Sequence, residues 1–482
     1  MARIVLIQPP LAPDELFTRG SRFSASVIAP LGLAYLASFL RKRGHECQII
    51  DGIAEPISIA QLCAVARTAE VIGITVISTY LLRVIEVIGE LKKSGITAPV
   101  VVGGPHVTAM PQSMLDYGAD YAVVGEGEET FAELVAHITQ HNSAAADIKG
   151  VAFYRNGTYI FTGYRDLIDP LDTIPLPARD LLPMHRYNSS VARSSNTPSH
   201  SLVASRGCPG TCSFCSKLTF RTKVRYFSVD RIVEEFFLLR DKYGARDVAV
   251  WDDNFVASHE VVAGVCDRLL TRGFDLSWSV ESRIDAVDRV ILSALKRAGC
   301  RYIAYGIESG SQRILDYIRK RVTLDRIRET VRMTKEAGIP MRGYFILGFP
   351  TETREEMYET IRFAKELDVD VASFTLLIPL PGTLEYKRAQ REGEFDPEYF
   401  RRRIVPEFNF PDSPIYVPKG MTAAELLSIH RSAYNHYYLR SRMVWRKLTA
   451  CVRNPGEFAA LVSGGKTLLG NLFSSHHKVV KK

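Results

Sequence analysis

The sequence predicts an α/β protein built from two successive parallel-sheet domains, and three observations support this fold class. The chain has 482 residues, more than the ~250 to 300 residues at which one hydrophobic core usually stops growing. Apolar residues make up 46% and charged residues 24% of it, as in ordinary folded proteins. Apolar runs of strand length alternate with helical patterns over residues 1–141 and again over 201–391, which is typical of parallel sheets covered by helices.

Residues 1–141 are predicted to form a doubly wound, Rossmann-like domain, in which ligands bind at the carboxyl ends of the strands. These ends carry glycines and small polar residues that let a ligand approach the backbone closely. They read Gln8-Pro9-Pro10, Asp51-Gly52, Ser78-Thr79-Tyr80, Gly103-Gly104-Pro105-His106 and Gly125-Glu126-Gly127-Glu128. A dinucleotide or P-loop site is not indicated, because GxGxxG after the first strand and GxxxxGK(S/T) are both absent from the sequence.

Residues 142–200 are predicted to be a linker. Several prolines and the Ser/Asn-rich stretch SSVARSSNTPSH interrupt any regular pattern there. One small hairpin is expected at VAFYRNGTYIFT, because an Asn-Gly pair, here Asn156-Gly157, is a strong turn signal between two strands.

Residues 201–391 predict the second α/β domain. Six strands that are nearly all apolar follow one another with helices between them, at SLVASRG, DVAVWDD, LSWSVES, YIAYGIE, MRGYFILG and DVASFTLLIP. Strands of this kind are buried on both faces, so the pattern indicates a parallel barrel or partial barrel with its active site at the strand carboxyl ends. Residues 392–482 form a mixed C-terminal region with the aromatic and basic segment YNHYYLRSRMVW.

The charge of the chain is concentrated in its tail. Of the net charge of +8, residues 421–482 contribute all, with ten basic and two acidic residues, and residues 1–420 are neutral. A neutral body argues against a nucleic-acid groove, whereas the tail suits contact with an anionic membrane surface or partner, or is simply a solvated terminus. Without an apolar run long enough to span a membrane or a signal-peptide pattern, we expect a cytoplasmic protein; if the tail does contact a membrane, the inner face is the one it meets.

Three of the eight cysteines lie close together in RGCPGTCSFCSK, as Cys208, Cys212 and Cys215. Three thiolates on one short loop can hold three corners of a four-iron four-sulfur (4Fe-4S) cluster and leave the fourth iron open for a ligand. Zinc is disfavoured because the nearest histidines, His185 and His200, lie upstream in the predicted linker and no second CxxC follows.

This C-x3-C-x-aromatic-C loop after the first strand of a six-unit partial barrel resembles the hallmark of the radical S-adenosylmethionine (SAM) superfamily, with Phe214 at the aromatic position. The resemblance implies that SAM binds the open iron through its amino and carboxylate groups. Its reductive cleavage then releases a 5'-deoxyadenosyl radical that abstracts hydrogen from a carbon. The resemblance also implies an electron donor such as flavodoxin or ferredoxin.

The resemblance assigns further strand ends to the SAM site. Asp252, Asp253 and Asn254 stand where the family contacts the methionine amino group, although this sequence has Trp-Asp-Asp-Asn in place of Gly-Gly-Glu. Arg283 is similarly assigned to the methionine carboxylate and Glu308 to the ribose or methionine; a structural ion pair at the barrel mouth is the alternative for both. Gly348, in ILGFPTET, is assigned to the adenine, with a plain strand-to-helix turn as its alternative.

The first domain resembles the cobalamin-binding domain of a large radical SAM subclass, in the segments PLGLAYLASFLRKRGHE, ISTY, GGPHVTAMP and VVGEGEETF. The resemblance implies cobalamin as a further cofactor, with neighbours at Ser78, Thr79, Gly103, Gly104, Gly125 and Gly127. The D-x-H-x-x-G motif that ligates cobalt in older cobalamin proteins is absent from the sequence. His106 is therefore expected to be a loop residue rather than an axial ligand.

The function that this subclass implies is methyl transfer to an unactivated carbon of a small or lipid-like substrate. A ring-forming enzyme, resembling the anaerobic magnesium-protoporphyrin monomethyl ester cyclase or lipid ring-forming enzymes, is the alternative. A cobalamin sensor without turnover and an RNA-methylthiolating enzyme are disfavoured, the first by the complete cysteine triad and the second by the neutral body and the lack of an extra cluster domain. No residue of the sequence is assigned a direct catalytic role.

Overall fold

The computed structural model describes residues 1–16, 26–140, 144–188, 197–405, 413–443 and 445–446. The first domain contains a seven-stranded sheet of order β2-β1-β3-β4-β5-β6-β7. Its strands are β1 (Arg3–Gln8), β2 (Glu46–Asp51), β3 (Val71–Thr75), β4 (Val100–Gly103), β5 (Tyr121–Val123), β6 (Val151–Arg155) and β7 (Thr158–Phe161). The first five strands are parallel, so the doubly wound prediction is confirmed.

Helices cover both faces of this sheet: α1 (Pro13–Leu16), α2 (Leu31–Arg41), α3 (Ile59–Ala66), α4 (Leu81–Lys93), α5 (Pro105–Ala109), α6 (Pro111–Asp116) and α7 (Gly127–Gln140). Alternate residues of β1 point to opposite sides. Ile4 and Leu6 pack with α2 and α7 in a core that continues into the second domain, whereas Val5 and Ile7 pack with α3, α4 and α6. The first domain and the barrel therefore share one apolar core.

The predicted hairpin at Asn156-Gly157 is confirmed, but it is not an isolated part of the linker. Strands β6 and β7 pair antiparallel, and β6 also pairs antiparallel with β5. Asn156 and Gly157 both have positive φ, of 51° and 77°, as a tight hairpin turn requires. The first sheet thus extends to Phe161.

The second domain is an open sheet of six parallel strands, as predicted. Its order is β15-β14-β13-β12-β11-β8, formed by β8 (Ser199–Leu202), β11 (Asp247–Val250), β12 (Ser277–Arg283), β13 (Cys300–Glu308), β14 (Met341–Leu347) and β15 (Val371–Leu376). A short ribbon, β9 (Ser205–Arg206) and β10 (Arg225–Tyr226), follows β8. The helices between strands are α8 (Val229–Asp241), α9 (His259–Thr271), α10 (Arg289–Arg297), α11 (Gln312–Tyr317), α12 (Leu324–Glu336) and α13 (Arg354–Leu367).

The C-terminal region returns to the first domain before it covers the barrel. It contains α14 (Leu384–Glu392), β16 (Gly393–Phe395), α15 (Tyr399–Arg402), β17 (Tyr416–Pro418) and α16 (Ala423–Tyr438). Helix α15 packs against α4, and the Val405 amide donates to the Thr79 carbonyl at 2.7 Å. Within the described part of the chain, no helix is both long and apolar enough to cross a membrane.

Helix α16 occupies the open edge of the barrel sheet at β15. The Tyr438 hydroxyl bonds to the amide and carbonyl of Ala372 at 3.1 and 2.8 Å, and the Tyr434 hydroxyl bonds to those of Phe374 at 3.2 and 3.0 Å. His430 donates from Nε2 to the Phe374 carbonyl at 2.9 Å. The aromatic side chains of α16 therefore provide hydrogen-bond partners for the backbone amides and carbonyls of the edge strand β15. The sequence pattern alone does not predict this contact.

His430 makes the stability of this edge depend on pH. Burial lowers the pKa of His430 to about 4, so its stabilising neutral form is retained above its ordinary pKa and is lost as the pH falls towards 4, at a cost of about 3 kcal/mol. In His430→Gln an amide donor replaces the imidazole and does not titrate. We expect the difference in melting temperature between wild type and variant to narrow from pH 7 to pH 4. A difference that stays constant across this range contradicts the assignment.

Candidate active site

The three clustered cysteines lie in the loop between β9 and β10, beside the carboxyl ends of the barrel strands. Cys215 is exposed, Cys208 and Cys212 are partly buried, and all are free thiols. The loop is fixed to the barrel by the Ser213 amide, which donates to the Ile318 carbonyl at 2.9 Å. Thiolates held on one anchored loop and open to an incoming ligand fit the donor set of an iron-sulfur cluster.

Two observations test this fit further. Among the described residues, no three His, Cys, Asp or Glu side chains converge as the ligands of a single metal ion do, and a 4Fe-4S cluster does not require this because each iron takes its own thiolate. In addition, the Nζ atom of Lys217, two residues after Cys215, is buried without a hydrogen-bond partner. A buried cation without a partner suits an anionic ligand at this loop. Lys217 is not among the site residues predicted from the sequence.

Arg283 reaches the cluster loop, but its donors already have partners. It forms two bonds of 2.9 Å to the Asp285 carboxylate, one of 2.8 Å to the Lys320 carbonyl and a 3.5 Å contact to Cys212 Sγ. The backbone amide of Arg283 donates to Asn254 Oδ1 at 3.1 Å. Arg283 thus supplies fixed positive charge beside a cysteine, and Asn254 positions its backbone.

The two aspartates after β11 differ in environment. Asp252 is buried and accepts from the Ala204 amide at 2.8 Å and from the Ser205 hydroxyl at 2.6 Å. Burial raises the pKa of Asp252 to about 7. Asp253 is the exposed member of the pair. Asp252 therefore ties β11 to the chain that leads into the cysteine loop, while Asp253 is the aspartate open to a ligand.

Glu308 forms the ion pair that the sequence left as an alternative, with Lys320 rather than with Arg283. Its Oε1 accepts from Lys320 Nζ at 2.8 Å, and both side chains are buried. The φ of Glu308 is 74°, an unfavourable conformation for a non-glycine residue that costs about 1–3 kcal/mol. Such outliers cluster at ligand sites, and Glu308 stands at the carboxyl end of β13.

Phe214 and Gly348 lie on two loops that an aromatic contact joins. The Phe214 ring packs on that of Phe349, with centroids 5.8 Å apart, which joins the cysteine loop to the loop after β14. Glu352 accepts from the backbone amides of Gly348 and Phe349 at 2.6 and 2.9 Å and fixes that loop. Burial raises the pKa of Glu352 to about 8.

In the first domain, a chain of hydrogen bonds holds His106. Its Nδ1 bonds to Ser78 Oγ at 2.9 Å and its Nε2 to Ser113 Oγ at 3.2 Å. The imidazole is buried, and burial lowers its pKa to about 4. Both ring nitrogens are thus engaged with serines at the end of this sheet.

We therefore expect His106→Ala to retain cobalamin, because neither ring nitrogen of His106 is free to bind cobalt. The measurement is the cobalamin content after gel filtration, relative to wild type, with the circular-dichroism spectrum as a check of folding. A folded variant that loses the cofactor would contradict this expectation.

The other residues predicted to be neighbours of cobalamin lie at the carboxyl edge of the first sheet, at the ends of β3, β4 and β5. Gly104 has a φ of 105°, and a Cβ there would lie 2.9 Å from the Val76 carbonyl oxygen, so only glycine fits. The Gly125 amide donates to Thr108 Oγ1 at 3.1 Å. Thr79 is the residue that receives the hydrogen bond from the C-terminal region. Gly103 ends β4 and Gly127 begins α7.

A buried group of four charges, which we call the interdomain charge cluster, joins the end of β5 to the cysteine loop. Glu126 and Glu128 pair with Arg206 and Arg225 of the β9–β10 ribbon, and all four side chains are at most 6% exposed. Arg206 donates to Glu126 at 2.8 Å and to Glu128 at 2.5 Å. Since Arg206 precedes Cys208 by two residues, the interdomain charge cluster holds the first domain next to the first cysteine of the motif.

Glu126 and Glu128 belong to a strand end that was predicted to line a ligand site, but no role was predicted for either of them. Two features of the sequence could have pointed to this cluster: the acidic residues that alternate with glycines after β5, and the arginine two positions before the first cysteine of the motif.

A second contact between the two domains lies at Gly382, where a Cβ would come within 2.6 Å of Leu218 and 3.0 Å of Ala109. Loops at the carboxyl ends of the two sheets therefore contact each other directly.

Comparison with known proteins identifies both domains. The B12 binding domain family matches residues 24–135, and the radical SAM superfamily matches residues 202–364. An uncharacterised methyltransferase of Pyrococcus horikoshii is 34% identical over 92% of this chain and 94% of its own length. The anaerobic magnesium-protoporphyrin IX monomethyl ester cyclase of Cereibacter sphaeroides is 27% identical over 92% of this chain and 72% of its own.

Among solved structures, the fold resembles that of the radical SAM methyltransferase TsrM from Kitasatospora setae, which has cobalamin and a 4Fe-4S cluster bound. The TM-score is 0.67 at 20% identity, and the alignment covers 90% of this chain and 85% of TsrM. The extent of the match to the Pyrococcus relative and the presence of both domains lead to one conclusion. The chain belongs to the cobalamin-binding radical SAM enzymes.

Proposed function

We propose that this enzyme is a cobalamin-dependent radical SAM methyltransferase that adds a methyl group to an unactivated carbon. The observation that carries the proposal is the contact between the two sheets, in which the loop after β5 pairs through buried charges with the residue two positions before Cys208. An enzyme that removes hydrogen at one cofactor and adds a methyl group from another needs the two held close and in fixed orientation. Family membership with a methyltransferase relative supports the same reaction.

In this proposal Cys208, Cys212 and Cys215 hold the 4Fe-4S cluster. The free ammonium of Lys217 binds the SAM carboxylate, and Arg283, fixed by Asp285, adds positive charge that favours the Cys212 thiolate. When bound, the cluster and SAM supply a 5'-deoxyadenosyl radical for hydrogen abstraction, and cobalamin supplies the methyl group. Further SAM contacts are proposed from the exposed Asp253 and from the ends of β11, β13 and β14, at Asp252, Asn254, Glu308, Phe214 and Gly348.

Cobalamin is proposed to lie at the carboxyl edge of the first sheet. Its neighbours are the residues that end β3, β4 and β5, namely Ser78, Thr79, Gly103, Gly104, Gly125 and Gly127. Ser78 is oriented by His106, so His106 would act on cobalamin by positioning this serine.

The deciding experiment is the stoichiometry of SAM products under anaerobic turnover with cobalamin and a strong reductant. Methyl transfer uses one SAM for the radical and one for the methyl group, so 5'-deoxyadenosine and S-adenosylhomocysteine should rise together, about one each per product. Ring formation, which the cyclase relative favours as the second candidate, has no methyl group to replace. 5'-Deoxyadenosine without S-adenosylhomocysteine, and no gain of methyl mass in the product, would assign the enzyme to that second class.

We also propose the electron donor, the kind of substrate and the compartment of this enzyme. The electron donor is a flavodoxin or ferredoxin, and the substrate is a small or lipid-like molecule rather than a nucleic acid. The compartment is the cytoplasm, and the basic C-terminal stretch, which falls largely outside the described residues, contacts the inner membrane face through its excess of Lys and Arg.

A further inference from the structure

The inner face of the barrel carries a positive charge on β14. Along this strand, buried residues alternate with partly buried ones, and the buried ones, such as Phe345, pack in the core beneath the helices. Arg342 and Tyr344 occupy the other positions and therefore face the inside of the barrel. The Arg342 guanidinium carbon lies 5.6 Å from the centroid of the Tyr344 ring.

Arg342 has no counterion among the described residues. Its Nε atom is buried without a hydrogen-bond partner, its guanidinium bonds to the Tyr344 side chain, and Tyr302 and Tyr438 lie close to it. Glu281, on the same inner face, accepts from the Tyr344 hydroxyl at 3.3 Å but forms no ion pair with Arg342. Arg342 is partly buried, and no opposite charge offsets the partial loss of water around its guanidinium, which an anion at this place would do.

SAM does not supply this anion, and cobalamin, whose phosphate is anionic, is proposed at the edge of the first sheet rather than inside the barrel. SAM has one carboxylate, and Lys217 already stands beside the cysteine loop to receive it. The sheet register places Arg283 level with Gly306 and Tyr344, whereas Arg342 is level with Glu281 and Ala304, one inward-facing layer deeper. The other charged groups of SAM, its ammonium and sulfonium, are positive. Arg342 therefore faces the space that remains for the substrate.

We propose that the substrate carries an anionic group, a carboxylate or a phosphate-type group, that pairs with Arg342 inside the barrel. The planar guanidinium matches two oxygens of such a group, and the neighbouring Glu281–Tyr344 pair can bond to a hydroxyl of the same molecule. This inference rests on the proposed methyl transfer and narrows its substrate class. A wholly apolar lipid would offer the Arg342 guanidinium no opposite charge.

The test uses full-length holoenzyme and SAM labelled in its methyl group. A metabolite extract is separated at pH 7 into an anion-exchange-retained fraction, an unretained aqueous fraction and an organic-solvent fraction, and each is incubated with the enzyme. We expect labelled product from the retained fraction alone. Arg342→Gln should form about 10- to 100-fold less of it at limiting extract, the loss of one charge-assisted hydrogen bond, and Arg342→Lys should recover part of the activity.

Arg332→Gln, on the exposed face of α12, is the matched control and should behave as wild type. Iron, cobalamin and 5'-deoxyadenosine formed without substrate should be unchanged in Arg342→Gln, since the proposal places Arg342 on the substrate only. Loss of cobalamin or of 5'-deoxyadenosine from a folded Arg342→Gln would instead assign this residue to a cofactor and overturn the proposal. Labelled product from the unretained or organic fraction in wild type overturns the anionic class while leaving methyl transfer intact. No labelled product from any fraction overturns methyl transfer itself, and this inference with it.

Discussion

Alanine at Cys208, Cys212 or Cys215 is expected to abolish the iron-sulfur cluster and all formation of 5'-deoxyadenosine. Anaerobically purified wild type should contain about four iron and four sulfide per chain, the content of one 4Fe-4S cluster. Each cysteine is proposed as the ligand of one iron, and the anchored loop carries no further cysteine that could replace it. Iron and sulfide analysis, together with product formation from SAM, measures the loss.

Cys266→Ala is the matched control. Cys266 is a buried thiol of α9 in the apolar core, so its replacement should leave the iron and sulfide content unchanged. The same retention is expected for Cys451→Ala, a position outside the described residues. A triple variant of Cys208, Cys212 and Cys215 that still holds its cluster would refute the assignment.

Glu126→Gln is expected to destabilise the enzyme and to uncouple its two cofactors. Glu126 accepts from Arg206 and also from Arg225, at 2.9 Å. Loss of its charge leaves these guanidinium groups buried and undercompensated, at a cost of about 3–5 kcal/mol. Because this cluster joins the first domain to the cysteine loop, we expect a lower melting temperature and more 5'-deoxyadenosine per S-adenosylhomocysteine than in wild type.

Glu129→Gln, three residues further along in α7, is the matched control. Glu129 pairs with Arg165 at 3.3 Å, but its side chain is 42% exposed, and exposed pairs contribute only about 0–1 kcal/mol. Its variant should melt close to wild type and keep the product ratio. If Glu126→Gln also did so, the interdomain charge cluster would have no role in holding the cofactors together.

Much of the fold could be predicted because its signals are local. The five parallel strands of the first sheet and all six of the barrel sheet can be recognised in the sequence as apolar runs between helical patterns. The turn at Asn156-Gly157 is specified by these two residues alone. The cysteine spacing likewise brings Cys208, Cys212 and Cys215 onto one loop. Family resemblance placed Arg283 at the mouth of the barrel, where it does reach Cys212.

What could not be predicted depends on contacts between distant parts of the chain. Glu126 is separated by 80 residues from Arg206 and by 99 from Arg225, and no local pattern specifies such a pair. Lys320 as the partner of Glu308 follows from the packing of the segment after α11 against the end of β13. The same holds for the inward position of Arg342, whose missing counterion is visible only once the surrounding strands are in place.

The hydroxyl groups of Tyr434 and Tyr438 define how far the chain can be shortened. A protein ending after Arg446 keeps both, and its last barrel strand remains closed to other strands. One ending at Gly420 exposes the free amides and carbonyls of Ala372 and Phe374, which can then pair with a strand from a second molecule. Shortening the chain between these two points should therefore convert a monodisperse protein into one that self-associates.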